Sequence, residues 1–455
     1  MSVRSATAEG APARRLGAGA VRGLVHIGLL GASQAGVTVT AFATQVILAR
    51  GLAQADFGRF MATVSLTTLV VPLALVGTGE FWLQRFGREG ARAYRWVRVS
   101  GRVVMAATLA AMAGLACWGL LDRSDPIGGT LRVVLAPLVA GQVAIALAVA
   151  VLQLRGAYSR IAALQLLPQL GRLSVAAATW VLGLSVIAAA IGYAAVAVGC
   201  VGVALVLLRP LWAERLPLAG HAGRADGARR RVPSTRNTIG GSTPFMLGSV
   251  FYLVGLHLGV VVTAASLSAE SAALLAVPMA ILTAVFLIPR VVYQQYFLPK
   301  LHRWSRHDRT AILAAYRLGT AGMTALGALC AAVVAATGWV MVPLLFGEEY
   351  AAAVPILALL ALAIPLRFGS ASVASLLTSG GQVRQKVFYQ GIGAAVYVIA
   401  LVVGIRSWGL PGAAVATVAT EGIQFYLFWR CVQRNVIRGE ELPRWTAIRA
   451  RLANG

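Results

Sequence analysis

The charged residues of this 455-residue chain are bunched, and the intervals between the bunches are apolar. A dozen intervals run for about 20 residues or more with almost no charge. An α-helix of that length crosses the ~30 Å hydrocarbon core of a bilayer. Charged residues make up 12% of the chain, about half the ~25% usual in soluble domains. The spacing predicts spans at 22–49, 58–83, 101–121, 132–153, 161–182, 185–208, 242–265, 272–297, 311–337, 351–377, 387–405 and 409–430. Lipid leaves no water to satisfy the backbone, so runs of this length are helical. The sequence therefore excludes a soluble enzyme and a disordered chain, and predicts an all-α polytopic membrane protein.

The net charge of +25 does not call for nucleic acid once it is placed on those spans. With the N-terminus inside, 32 of the 40 basic residues fall on cytoplasmic segments and five on outer loops (Arg50, Arg59, Arg123, Arg132 and Arg406). Basic residues retained on one side set the orientation, so both termini are predicted to be cytoplasmic. The longest loop divides the chain in the middle. This gives a basic tail (1–21), a six-helix lobe (22–208), a basic linker (209–241), a second six-helix lobe (242–432) and a basic tail (433–455). The end of the fourth span (Leu152, Gly156, Arg160) is echoed by the end of the tenth (Leu376, Gly380, Arg384), as an internal duplication would produce.

No Walker loop, HExxH or GxSxG pattern is present, and Cys117, Cys200, Cys330 and Cys431 form no metal-ligand pattern. No cofactor and no metal are predicted. The informative residues are polar groups deep in spans, where a charge costs at least about 2.5–3.5 kcal/mol. Gln165, Gln169 and Arg172 fall at i, i+4 and i+7 and share one helix face beside Pro168. Arg367 lies mid-span in the tenth run, and the first run carries His26, Ser33, Thr40 and Thr44 with Gln34 adjoining. Interhelical hydrogen bonding accounts for the Ser and Thr residues; for Arg172 a wet cavity is the better reading. Glu421, midway along the last span, is either a coupling carboxylate or the partner of Arg367 or another Arg. Arg85 and Arg290 each close the second span of a half. Asp56, in the first outer loop, leaves open a membrane polymerase or glycosyltransferase.

The stretch Leu48-Ala49-Arg50-Gly51-Leu52-Ala53-Gln54-Ala55-Asp56-Phe57-Gly58 resembles the opening of bacterial polysaccharide-biosynthesis membrane proteins, with Ala53 where that pattern often has Gly. These are the lipid-linked oligosaccharide flippases, O-antigen type included, of the multidrug/oligosaccharidyl-lipid/polysaccharide exporter superfamily. Leu345-Phe346-Gly347-Glu348-Glu349-Tyr350, continuing to Pro355, and Gly409-Leu410-Pro411-Gly412, leading to Glu421, resemble later segments of the same family.

The resemblance implies two pseudo-symmetric lobes around a cavity that opens to either side alternately. It also implies a flippase carrying a polyprenyl-diphosphate-linked oligosaccharide from the cytoplasmic to the outer leaflet of the bacterial inner membrane, with a polymerase and glycosyltransferases as partners. The candidate cavity residues are then Arg172, Arg367, Gln165, Gln169, Arg85 and Arg290, with Arg172 and Arg367 facing the diphosphate together across the lobe interface. The rival from the same superfamily is a multidrug/cation antiporter, which needs an acidic pocket.

Overall fold

In a computed structural model of the chain, the described residues are 18–216, 218, 232–292, 309–379 and 382–437, with side chains described from residue 31 onward in the first helix. The terminal tails, most of the linker and the stretch 293–308 lie outside them.

Long helices succeed one another throughout, and no strand occurs among the described residues. The first lobe comprises α1 (Ala18–Gly51), α2 (Gln54–Leu75), α3 (Thr78–Glu89), α4 (Tyr94–Leu121), α5 (Pro126–Leu135), α6 (Pro137–Leu154), α7 (Tyr158–Leu182) and α8 (Val186–Trp212). The second comprises α9 (Thr235–Ser266), α10 (Ala269–Val285), α11 (Arg309–Phe346), α12 (Val354–Ala361), α13 (Ala363–Ser379), α14 (Val383–Trp408) and α15 (Leu410–Val432).

By length and hydropathy alone, nine stretches of the described residues suffice to cross a membrane, or ten with the bent α12–α13 pair. That count takes Gln54–Leu121 once, although its 68 residues would reach about 100 Å as one straight helix, so α2–α3 and α4 are separate passes. The last pass is α15, whose apolar run is interrupted by Glu421. Together these make twelve passes among the described residues, all of them helical, in two lobes.

Local chemistry sets where each pass starts, bends and stops. Ser185, Ser234 and Ser268 cap α8, α9 and α10 by accepting from the backbone N–H of Ala188, Asn237 and Ser271, each satisfying a donor the helix leaves free. The Ser234 cap lets α9 begin at Thr235, several residues before hydropathy would start it. Pro365 has no N–H for the Ala361 carbonyl, and there α12 and α13 meet at 41°. The second pass breaks where Val76 (φ 52°) and Gly77 (φ 66°) are both left-handed, with the Val76 N–H returning to the Pro72 carbonyl. A β-branched residue in that region is strained. The turn seats Gly77 directly on the α9 backbone: a Cβ there would lie 2.5 Å from the Ser242 carbonyl oxygen.

The lobes meet along α2 with α9 and α10, and the largest buried cluster crosses that boundary. At the end of the molecule carrying the first loop, the contacts join distant parts of the sequence. Arg50 donates to the carbonyls of Leu344 and Leu345 (2.7 Å for Leu345), and Gln54 donates to the Glu349 carbonyl at 3.2 Å. Phe57 and Tyr350 stack edge to face at 5.9 Å. The stretches 48–58 and 345–350 thus close one end of the molecule against each other. Beside them Arg59 pairs with Asp56 and Asp125, and Arg132 with Asp122. The Ser124 hydroxyl donates to Asp122 and, with Arg132 alongside, holds that carboxyl below the usual carboxylate range.

Gly58 makes this closure close-packed, since an added Cβ would fall 1.8 Å from the Ala269 carbonyl oxygen. Gly58→Ala is therefore expected to force α2 and α10 apart. Oxidative cross-linking of a Gln54→Cys/Glu349→Cys pair should slow several-fold when Gly58→Ala is added, and an unchanged rate would show that the lobes do not depend on this contact.

Candidate functional site

Arg290 lines three cavities among the described helices. One, of about 730 Å³, is built mainly by the first lobe and is lined by Gln34, Gln142, Gln165, Gln169, Arg172 and Glu80, among others. The face read from i, i+4 and i+7 spacing on α7 does turn Gln165, Gln169 and Arg172 into one space. The Gln34 side-chain amide on α1 donates to the Gln165 Oε1 at 2.8 Å and joins the facing helices. The Arg172 guanidinium stands 5.7 Å from the centre of the Tyr193 ring on α8, a cation–π contact. No carboxylate of the described residues forms an ion pair with it. Across the cavity the Gln142 Nε2 is buried with no hydrogen-bond partner. Two donor groups, one charged, thus lack acceptors in the same cavity, an arrangement that suits a ligand rich in acceptor oxygens.

Arg367 is treated differently. Its Nη1 lies 2.7 Å from the Glu421 Oε1, and the guanidinium rests over Tyr252 and Phe286 at 5.1 and 5.4 Å. This pair lines a second, smaller cavity of about 140 Å³ in the second lobe, with Lys386, Gln390 and Gln424. There the Glu421 Oε2, Thr420 Oγ1 and Ser370 Oγ are buried without partners. Of the alternatives open for Glu421, the structure shows the ion pair with Arg367. The basic group that shares the Arg172 cavity is Arg290, not Arg367, because Glu421 holds Arg367 in the other lobe.

Arg85 and Arg290, equivalent by position in the sequence, diverge. Arg85 stacks on Trp96 at 4.4 Å and pairs with Glu89 at 3.2 Å, so it braces the α3–α4 turn, while Arg290 is exposed at the junction of the cavities. Asp56 is engaged by Arg59 at 3.2 Å. Thr44 donates to the Thr40 carbonyl of its own helix, and the side chain of His26 lies outside the described residues. Gln142 was not singled out from the sequence. Its signal was a lone amide in the middle of an otherwise apolar run.

No family model and no curated protein matches the chain by sequence. Solved structures do match by fold. A lipid II flippase, MurJ, in an inward closed conformation aligns over 89% of this chain and 87% of its own, with a TM-score of 0.66 at 11% identity. An inward-facing multidrug resistance MATE family transporter of the MOP superfamily covers 89% and 96%, at a TM-score of 0.63 and 13% identity. A MOP superfamily transporter from Pyrococcus furiosus, described as having a binding pocket of reverse polarity, covers 92% and 97%, at 0.59 and 13%. The chain has the two-lobe fold that these transporters share.

Breaking a buried pair from one side strands the other charge, at a cost of about 3–5 kcal/mol. Arg367→Ala is expected to lower the melting temperature of the purified protein markedly, with Glu421→Gln in the same chain restoring most of it. Equal melting of the single and double variants would show that the pair contributes nothing to stability.

Proposed function

We propose that the protein is a transporter and not an enzyme. It moves a polyprenyl-diphosphate-linked oligosaccharide from the cytoplasmic to the outer leaflet of the bacterial inner membrane, by alternating access between the lobes 22–208 and 242–432. The observation that carries this reading is Arg172, without an ion-pair partner, in a 730 Å³ cavity whose polar lining is five glutamines, Arg290 and Glu80. A guanidinium offers a planar fork of N–H donors that matches phosphate oxygens, and the amides of Gln142, Gln165 and Gln169 suit further phosphate or sugar oxygens. The similarity in fold to a lipid II flippase supports a lipid-linked substrate.

In this reading the end closed by Arg50, Tyr350 and Gly58 faces outward. The tails, the linker 209–241 and the basic residues Arg85, Arg290 and Arg384 are cytoplasmic, as the positive-inside rule requires. Arg172 and Arg290 receive the diphosphate; Arg367 and Glu421 stay paired while the head group is held in the first lobe. Neighbouring glycosyltransferases and a polymerase would supply and consume the substrate. The cation-antiporter reading is weaker, because the buried carboxylate it would rely on, Glu421, already carries Arg367 as its counter-ion.

An unpaired buried charge is costly to the fold and is retained for function. Arg172→Met should therefore melt at or above the wild-type temperature and yet lose transport of a fluorescent polyprenyl-diphosphate saccharide by roughly 10–100-fold, the value of a charged hydrogen bond or two. Arg172→Lys, which keeps the charge without the fork, should fall between. A stable Arg172→Met protein with full transport would remove this residue from the site.

A further inference from the structure

The largest of these three cavities shares only Arg290 and Glu80 with the Arg172 cavity. It has a volume of about 1320 Å³ and runs between the first half of α9 and the first half of α14. Phe245, Phe251, Val387 and Ile392 make its walls apolar. Of the stretches able to cross the membrane, α9 is the least covered, with 11% of its most apolar window buried. On α14, Phe388 lines the groove and is 65% exposed. Gly248 leaves room in the wall: a Cβ there would only touch Val387, at 3.5 Å. The groove also has a basic component. Arg290, Arg384 and Lys386 line it against one acid, Glu80. Arg290 and Glu80 line the Arg172 cavity as well, so the apolar groove and the polar cavity adjoin at these two side chains.

We propose that this groove holds the isoprenoid chain of the substrate, with the diphosphate at its basic residues, before the head group passes to Arg172. The inference rests on the lipid-linked reading above and adds the place of the tail. A head group inside the protein drags its chain away from the bilayer, and the chain stays out of water only if an apolar path accompanies it. The groove supplies that path beside the head-group cavity. Charge selects the occupant. Three cations against one carboxylate leave two positive charges, which match a diphosphate bridging a lipid and a sugar. A phospholipid phosphodiester carries only one negative charge.

The test compares two diphosphates that differ in tail, farnesyl and dimethylallyl diphosphate, binding to the full chain in phosphatidylcholine nanodiscs. The wild type should bind the farnesyl compound at least tenfold tighter. Gly248→Trp, which fills the groove, should remove most of that preference and leave dimethylallyl diphosphate binding unchanged. Phe388→Ser alters an exposed side chain, is expected to fold, and should reduce the preference several-fold. A benzophenone-bearing farnesyl diphosphate should cross-link to α9 and α14. Equal wild-type affinities for the two compounds, or a preference that survives both substitutions, would overturn the tail site and leave the head-group reading standing. Loss of the preference when phosphatidylglycerol is added to the nanodiscs would make the groove an ordinary phospholipid site and overturn the inference. A wild type that binds neither compound would overturn the head-group reading, and the tail site with it.

Discussion

A guanidinium inside a membrane has to be paired, hydrated or kept for a ligand, and this molecule uses different solutions in its two lobes. Arg367 is neutralised by Glu421 and lies over the rings of Tyr252 and Phe286. Arg172 has a tyrosine ring and neutral amides around it and no carboxylate partner. The asymmetry gives the first lobe a mid-span guanidinium with no carboxylate partner in a roomy polar cavity, while the mid-span guanidinium of the second lobe is ion-paired. That difference in electrostatics separates a carrier of anions from a carrier of cations on one fold, because the sign of the uncompensated charge decides which ligand gains by entering.

The surrounding architecture serves the same end. Stretches 48–58 and 345–350, almost 300 residues apart in the chain, close one end through backbone carbonyls and stacked rings, and Gly58 packs the same end against Ala269 of α10. These contacts are small, numerous and mostly without buried charge, as suits a closure that has to form and break. Toward the other end, the left-handed turn at Val76–Gly77 brings α2 and α3 against α9. The cavities lie among the helices with Arg290 at their junction.

Much of this was legible in the sequence, for physical reasons. Bunched charge reveals membrane passes because lipid penalises every interruption, and the order of helices follows the apolar runs. The cavity face of α7 was legible because helical periodicity alone aligns Gln165, Gln169 and Arg172. What required the fold was every relation between helices. Glu421 and Arg367 are separated by 54 residues, and no spacing rule links them. Arg85 and Arg290 occupy equivalent places in the two halves, but Trp96 and Glu89 claim only the first. The apolar run 58–83 reads as one span, and its break at the left-handed Val76 was not legible, since a β-branched residue seldom adopts that conformation. Gln142 escaped because one amide in an apolar run makes no periodic pattern.

The central claim is that the unpaired charge of the first lobe carries an anionic lipid across the membrane. Its most direct test is electrical. Purified protein in sealed vesicles is given a fluorescent polyprenyl-diphosphate saccharide, and the fraction reaching the opposite leaflet is read by a membrane-impermeant quencher, without nucleotide, at imposed potentials. The account predicts protein-dependent movement that speeds up when the loading side is made negative, since each net charge moved is worth about 2.3 kcal/mol per 100 mV. Vesicles that leave the lipid where it was loaded, yet exchange an organic cation for protons, would contradict it.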